Sequence, residues 1–199
     1  VHIDLPKCVL TNILEQDYNE FEIPKTNNEY IDYDFNQVIE VINNSKKPIL
    51  YVGKGAIDSY QELRELAIKA NIPVTTTMHA MGVFNEEHEL SLEMLGMHGS
   101  YAANHGIQNS DCIIAIGSRF DDRTTGNLDY YAPEAKKAFL ERRGGIIHCN
   151  IDNNEIKNVV DTNYNFCMDS KTFLKKIING IKYSQRSEWL NKLNNWKLK

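Results

Sequence analysis

Two kinds of apolar spacing alternate along this chain. Short apolar or β-branched runs predict strands at Ile49–Val52, Val74–Thr77, Cys112–Ile116, Ile146–Cys149 and Tyr164–Cys167. Cys112-Ile113-Ile114-Ala115-Ile116 is unbroken, as in a strand buried on both faces. Between these runs the apolar residues recur every three or four positions. Phe35, Val38, Ile39 and Ile42 keep helical spacing behind Asp34 as N-cap. A helix from about Tyr60 to Ala70 opens on Ser59 and Glu62, which read as a capping box. Met78 to Gly99 reads as a loop, followed by a short helix around Ala102–Gln108. Pro133 starts a helix that Gly144 should end, and an amphipathic helix covers Ser170 to Lys182. Trp189, Leu193 and Trp196 form a last helical stripe. Strands alternating with helices predict an α/β fold: a doubly wound parallel sheet of five or six strands, with helices on both faces.

Residues 1–34 break this rhythm. Val1–Leu5 predicts a strand ended by Pro6, and the polar, Asn-rich stretch after it reads as a linker laid over a surface. The expected division is 1–34 as the tail of a preceding domain with its linker, 35–183 as a central α/β domain, and 184–199 as a helix leading to a further domain. The chain opens on Val1 with no initiator Met, signal or transit peptide, and reads as processed or cut from something longer.

Composition narrows the classes. Hydrophobic content of 42% with 25% charged residues is ordinary for a globular protein. A net charge of −5 with scattered Lys and Arg argues against a nucleic-acid surface. No apolar stretch approaches the roughly 18 residues of a membrane-spanning helix. Cys8, Cys112, Cys149 and Cys167 form no CxxC pair, and three lie in strand-like stretches, so they read as reduced thiols in a non-secreted protein. His79, His98, His105 and His148 have no metal-ligand spacing, and neither a nucleophile elbow nor a P-loop is present.

The candidate chemistry gathers where strands end. Gly117-Ser118-Arg119-Phe120-Asp121-Asp122-Arg123-Thr124-Thr125-Gly126 follows directly on the Cys112–Ile116 strand. Open α/β sheets bind ligands beyond the carboxyl ends of their strands, so these charges either face a ligand or close the loop as a salt-bridge cluster. Gly53-Lys54-Gly55 sits between a strand and a helix, where glycines admit an anion to a helix N-terminus or simply make a tight turn. It lacks the third glycine and the later acidic residue of an NAD fingerprint. Met94-Leu95-Gly96-Met97-His98-Gly99 suits either a loop around an aromatic ligand or an adaptable core loop. Asp152, just past a strand, suits a ligand hydroxyl or a helix N-cap.

Together these segments, with Val1-His2-Ile3-Asp4-Leu5-Pro6-Lys7, Pro48–Gly53 and Gly144-Gly145-Ile146-Ile147-His148, resemble the middle, Rossmann-like domain of acetohydroxyacid (acetolactate) synthase catalytic subunits. These are thiamine-diphosphate enzymes of branched-chain amino-acid synthesis. The pieces stand in family order and at family spacing, and the Arg-Phe-Asp-Asp-Arg loop is specific to it. The resemblance implies FAD in this domain with a structural role, held by Gly53, Gly55, Thr77, Met78, Met97, His98, Gly117, Ser118, Arg119, Asp121, Arg123, Ile151, Asp152 and Asp169. Lys54 stands where the family has glycine, Met78-His79 where it has Leu-Gln, Asn150 where Glu is common, and Met168 where it has glycine.

The family's catalytic glutamate and its diphosphate and Mg²⁺ motif belong to the flanking domains, so the resemblance implies a chain inert on its own. The parent would condense pyruvate with pyruvate or 2-oxobutyrate on thiamine diphosphate and Mg²⁺. Its implied partners are its flanking domains, further copies of itself and a regulatory subunit, with neither nucleic acid nor membrane. The Gly-Gly-Ile-Ile-His run is most like the fungal branch, which implies a mitochondrial enzyme; otherwise a cytoplasmic one is expected. Two other readings stand beside it. One is a free-standing nucleotide-binding or regulatory module. The other is the central domain of another thiamine-diphosphate decarboxylase or oxidase, against which Asp121-Asp122-Arg123 speaks.

Overall fold

The computed structural model describes residues 3–13 and 33–199. The chain separates into two units, Val1–Asp32 and Tyr33–Lys199. In the first, Ile3–Leu5 do not form the expected strand, and α1 (Lys7–Leu10) is a single helical turn whose residues are all exposed. Pro6 starts that turn, its carbonyl accepting from the N–H of Val9 at 3.0 Å and Leu10 at 3.2 Å. No partner strand pairs with Ile3–Leu5 among the described residues, and an unpaired strand leaves its backbone bonds to water. Val1, His2 and the linker residues 14–32 lie outside the described residues.

The second unit is the predicted α/β fold. Its sheet has six strands, β1 (Pro48–Val52), β2 (Val74–Thr76), β3 (Ser91–Met94), β4 (Cys112–Ile116), β5 (Gly145–Asn150) and β6 (Tyr164–Cys167). They run parallel in the order β3-β2-β1-β4-β5-β6. Strict alternation divides the interior in two. Leu50, Val52, Ile114, Ile116, Ile147 and Cys149 face α2 (Phe35–Asn44), α3 (Tyr60–Ala70) and α7 (Ser170–Ile178). Ile49, Tyr51, Ile113, Ala115 and Ile146 face α4 (Tyr101–Asn109), α6 (Pro133–Leu140) and α8 (Ser187–Lys197). Every residue of β1, β4 and β5 is buried, which is why these strands read as runs and not as alternations. Each large aliphatic among them contributes about 1.5–3 kcal/mol by leaving water.

Several local expectations hold and others change. Asp34 caps α2 through the N–H groups of Asn36 and Gln37. Pro133 is the first residue of α6. Cys112, Cys149 and Cys167 lie in strands as free thiols. Ser59 precedes α3 but forms no capping box: its hydroxyl turns to the Ala56 carbonyl and to Ser170, while Glu62 meets Lys171 and Lys175. A preceding 3-10 segment, Lys54–Ser59, already supplies that turn's carbonyls. Nor does Gly144 end α6. The helix stops at Leu140, and Gly144 is where the chain passes so close to Asp111 that a Cβ would stand 2.0 Å from its carbonyl oxygen. Helix α7 ends at Ile178, four residues early, because Asn43 grips the chain beyond it, donating to the Gly180 carbonyl at 3.0 Å and accepting from the Lys182 N–H at 2.8 Å.

The Met78–Gly99 loop contains edge strand β3, missed because Glu93 at φ +62° and a register shift against β2 interrupt its alternation. The Gly117–Gly126 loop contains a one-turn helix, α5 (Asp122–Thr125). Helix α8 lays Trp189 and Leu193 into the second core, and the Trp189 indole donates to the Pro48 carbonyl at 3.0 Å.

Candidate functional site

Strand order reverses between β1 and β4, so the loops after these two strands diverge to opposite faces and leave a crevice at their carboxyl ends. Gly53 and Gly117 are the residues that leave the sheet there. The two loops touch backbone to backbone. A Cβ on Gly53 would stand 2.2 Å from the Gly117 oxygen, and one on Gly117, at φ +60°, would stand 2.5 Å from the Gly55 carbonyl carbon. The N–H groups of Gly53 and Gly55 are engaged in this contact, donating to Ile116 and Gly117 at 2.9 and 3.0 Å. These glycines are therefore required by loop-on-loop packing, and they form a floor rather than a set of free amides.

The Arg119–Arg123 loop is anchored from beneath. Phe120 adopts φ +57°, a strained conformation for a bulky residue, and is buried. Its ring packs 5.4 Å from Tyr51, 5.0 Å from His148 and 6.1 Å from Tyr131. Tyr51, Ala115 and His148 lie in one row across β1, β4 and β5, and the small central Ala115 stands beneath Phe120 between the two larger neighbours. With Phe120 turned inward, its neighbours Arg119 and Asp121 turn out to solvent. They pair loosely at 3.3 Å, and Arg123 meets Asp122 at 3.8 Å, all four side chains more than half exposed. Exposed pairs of this kind hold their partners weakly, so both arginines are free to turn to an anionic ligand.

Around this floor the other strand ends present more of the expected residues. Ser170 ties the start of α7 to the β1 loop, donating to the Gly55 carbonyl at 2.8 Å, which brings its neighbour Asp169 to the crevice. Asp169 itself caps α7 through the Thr172 N–H. Past β2, Thr77 donates its N–H to Val52 and leads to Met78, which is 61% exposed. Past β3, Met97 is 68% exposed, and its N–H donates to the Arg123 carbonyl at 2.8 Å, joining the methionine loop to α5; His98 follows in the open. Met97, Asn104, His105, Arg123, Thr124 and Tyr131 share a cavity of about 470 Å³. Past β5, Ile151 is 73% exposed, whereas the Asp152 carboxylate turns back to cap a 3-10 turn through Asn154. Exposed apolar side chains thus stand at three strand ends, an arrangement suited to flat organic rings.

The chain matches the family described as thiamine pyrophosphate enzyme, central domain, over residues 35–177. It belongs to that family. A mitochondrial acetolactate synthase catalytic subunit of Saccharomyces cerevisiae is 42% identical over 211 residues, covering 99% of this chain and 31% of its own length. An acetolactate synthase large subunit of Corynebacterium glutamicum is 42% identical over 168 residues, covering 81% of this chain and 25% of its own length. A chloroplastic acetolactate synthase of Nicotiana tabacum is 37% identical over 183 residues, covering 88% and 26%. The chain spans less than a third of the length of these relatives.

Several side chains of this thiamine pyrophosphate enzyme central domain escape a reading by motif. The Ser118 carbonyl accepts from His148 Nε2 and from Asn150 Nδ2, both at 2.9 Å. Since a carbonyl only accepts, His148 carries its proton on Nε2. Burial holds its pKa below the ordinary range, against the hydrogen bond to Ser118, which raises it. Thr76 Oγ1 and Ser118 Oγ, both buried beside the crevice, have no hydrogen-bond partner among the described residues. The sequence signal was faint: a His and an Asn two apart at the end of an otherwise apolar strand.

Proposed function

We propose that this chain is the FAD-holding central domain of an acetolactate synthase that joins two 2-oxoacids in branched-chain amino-acid synthesis. The observation that carries the FAD reading is that two of the three unpartnered buried hydroxyls among the described residues, those of Thr76 and Ser118 but not that of Tyr131, stand where β2 and β4 end, at a crevice rimmed by Met78, Met97 and Ile151. Buried polar atoms without partners are costly, and a ligand's polar atoms would satisfy them. The residues present fit the group. Gly53, Gly55 and Gly117 form the floor and Ser118 offers its hydroxyl. Arg119 and Arg123 offset the pyrophosphate charge, and Asp121 sets the reach of Arg119. Thr77, Met78, Met97, His98 and Ile151 cover the rings, and Asp152 and Asp169 meet ribityl or ribose hydroxyls.

Residues 35–183 make up this domain, with 1–34 joining it to a preceding domain and 184–199 leading to the next. Thiamine diphosphate with Mg²⁺, held by those flanking domains, supplies the carbanion-stabilising chemistry of the condensation. The protein would assemble as a homo-oligomer with a regulatory subunit, and the mitochondrial name of its Saccharomyces cerevisiae relative supports a mitochondrial location.

Titration with FAD, followed by flavin fluorescence and by melting temperature, tests this reading. Saturable binding is expected. At a hundredfold excess over Kd it should add about 2.7 kcal/mol, raising the melting temperature by about 5–10 °C. A folded protein that neither quenches nor is stabilised by FAD would defeat the reading.

A further inference from the structure

We propose that His148 and Asn150 act together as a clamp that turns the backbone amide of Arg119 toward the bound cofactor, making that amide a donor to a phosphate oxygen of FAD. The inference rests on the FAD reading and deepens it. Both clamp residues stand on β5, two positions apart and on one side of the strand, and both donate to the Ser118 carbonyl at 2.9 Å. The orientation of the Asn150 amide is settled by its other end, where Oδ1 accepts the Asp152 N–H at 3.0 Å. Its nitrogen is therefore the atom on Ser118.

A peptide group fixes the rest. No cis bond occurs among the described residues, so the Arg119 N–H points opposite to the Ser118 C=O. With the carbonyl held down on β5, the amide faces away from the strand. Neither a backbone nor a side-chain acceptor takes the Arg119 N–H among the described residues. A free amide beside an exposed guanidinium, next to the unpartnered Ser118 hydroxyl, is a three-donor arrangement for an anionic oxygen. Asn150 suits this role where a carboxylate would not, because a carboxylate can only repel the Ser118 oxygen.

The test uses the ¹⁵N-labelled protein and FAD. The Arg119 amide proton is expected to move strongly downfield on saturation. Asn150→Asp, which keeps the acceptor for Asp152 but loses the donor for Ser118, should weaken FAD binding about tenfold. His148→Leu should do the same. His148→Gln, which restores a donor, should recover most of the affinity, and this rescue separates positioning from packing because Leu and Gln differ in the donor and not greatly in size. Melting temperatures of the three variants without FAD show that each is folded. FAD binding with an unmoved Arg119 amide, or equal affinity in Asn150→Asp, overturns the clamp and leaves the FAD site standing. No FAD binding by the unaltered protein overturns both.

Discussion

The Tyr51 hydroxyl donates to the Thr124 hydroxyl across 3.1 Å, joining the centre of the sheet to the exposed helical turn that carries Arg123. Thr124 passes the bond on to the Asp121 carbonyl at 2.7 Å. One buried phenol thus steadies both ends of the charged turn.

Tyr51→Phe should therefore cost about 1 kcal/mol, the net worth of one hydrogen bond, and lower the melting temperature by about 2–4 °C. It should also change the alkaline limb. Burial pushes the Tyr51 hydroxyl up to about 12, while the unfolded chain releases the same proton near 10. Between those values the unfolded state holds fewer protons, so stability falls as pH rises. Urea unfolding from pH 9 to 11.5 should show this fall, and Tyr51→Phe should make it shallower.

At the acid end the sign reverses. His148 binds a proton less readily folded than unfolded, because burial lowers its pKa below the usual value of about 6.5. Stability is then flat above that value and falls as pH drops below it, since the unfolded chain takes up a proton the folded one declines. The other histidines add their own slopes, so the informative quantity is the difference between the unaltered protein and His148→Gln from pH 7.5 to 5. The variant should be the less acid-sensitive of the two.

Gly53→Ala tests the loop-on-loop contact. Its Cβ would meet the Gly117 oxygen at 2.2 Å, so the two loops must part, at a cost of about 3 kcal/mol or more. Gly82→Ala is the contrast: φ is +84° but nothing lies within 4 Å of the new Cβ, and only the conformational cost of about 1 kcal/mol remains. Equal losses in chemical denaturation would refute the packing argument.

Arg186 is buried, with its guanidinium donating to the carbonyls of Ile42, Ser45 and Ala70. It closes the ends of α2 and α3 where their last carbonyls lack helical partners. Arg186→Leu should cost about 2–3 kcal/mol by stranding the Ser45 and Ala70 carbonyls, since Ile42 keeps the Ser45 hydroxyl as donor, and Lys should recover little because it cannot span them. Thermal melts of the two variants decide this.

Arg119→Ala should leave stability within about 0.5 kcal/mol of the unaltered protein, because its pair with Asp121 is exposed. FAD affinity should drop about tenfold or more, as expected of a charge-assisted contact. An Ala variant that melts early and binds FAD normally would show the arginine to be a loop-closing residue.

How much of this was legible in the sequence depended on how local the cause was. Asp34, Pro133 and the Cys112–Ile116 strand were readable because each acts on its own turn or its own run. Ser59 carried a capping signature, yet its hydroxyl bonds Ser170, 111 residues away, and no local rule registers such a partner. Gly144 looked like a helix stop, and its actual constraint is the Asp111 carbonyl just before the neighbouring strand β4. β3 was hidden for a related reason. It is held by β2 through a shifted register and has a polar residue at positive φ in its middle.

The candidate site divides along the same line. Hydrophobic period, turn residues and the Arg-Phe-Asp-Asp-Arg loop determined the α/β class, the position of the charged loop at a strand end and the family likeness, because each is written in residues adjacent in the chain. Tertiary structure alone decided which atoms are free. It engages the amides of Gly53 and Gly55 between two loops, turns Phe120 beneath the arginines and sets His148 and Asn150 on one carbonyl. These outcomes depend on which strands lie side by side. The order β2-β1-β4-β5 brings residues 30 or more positions apart within hydrogen-bonding reach, and spacing along the chain carries no trace of that neighbourhood.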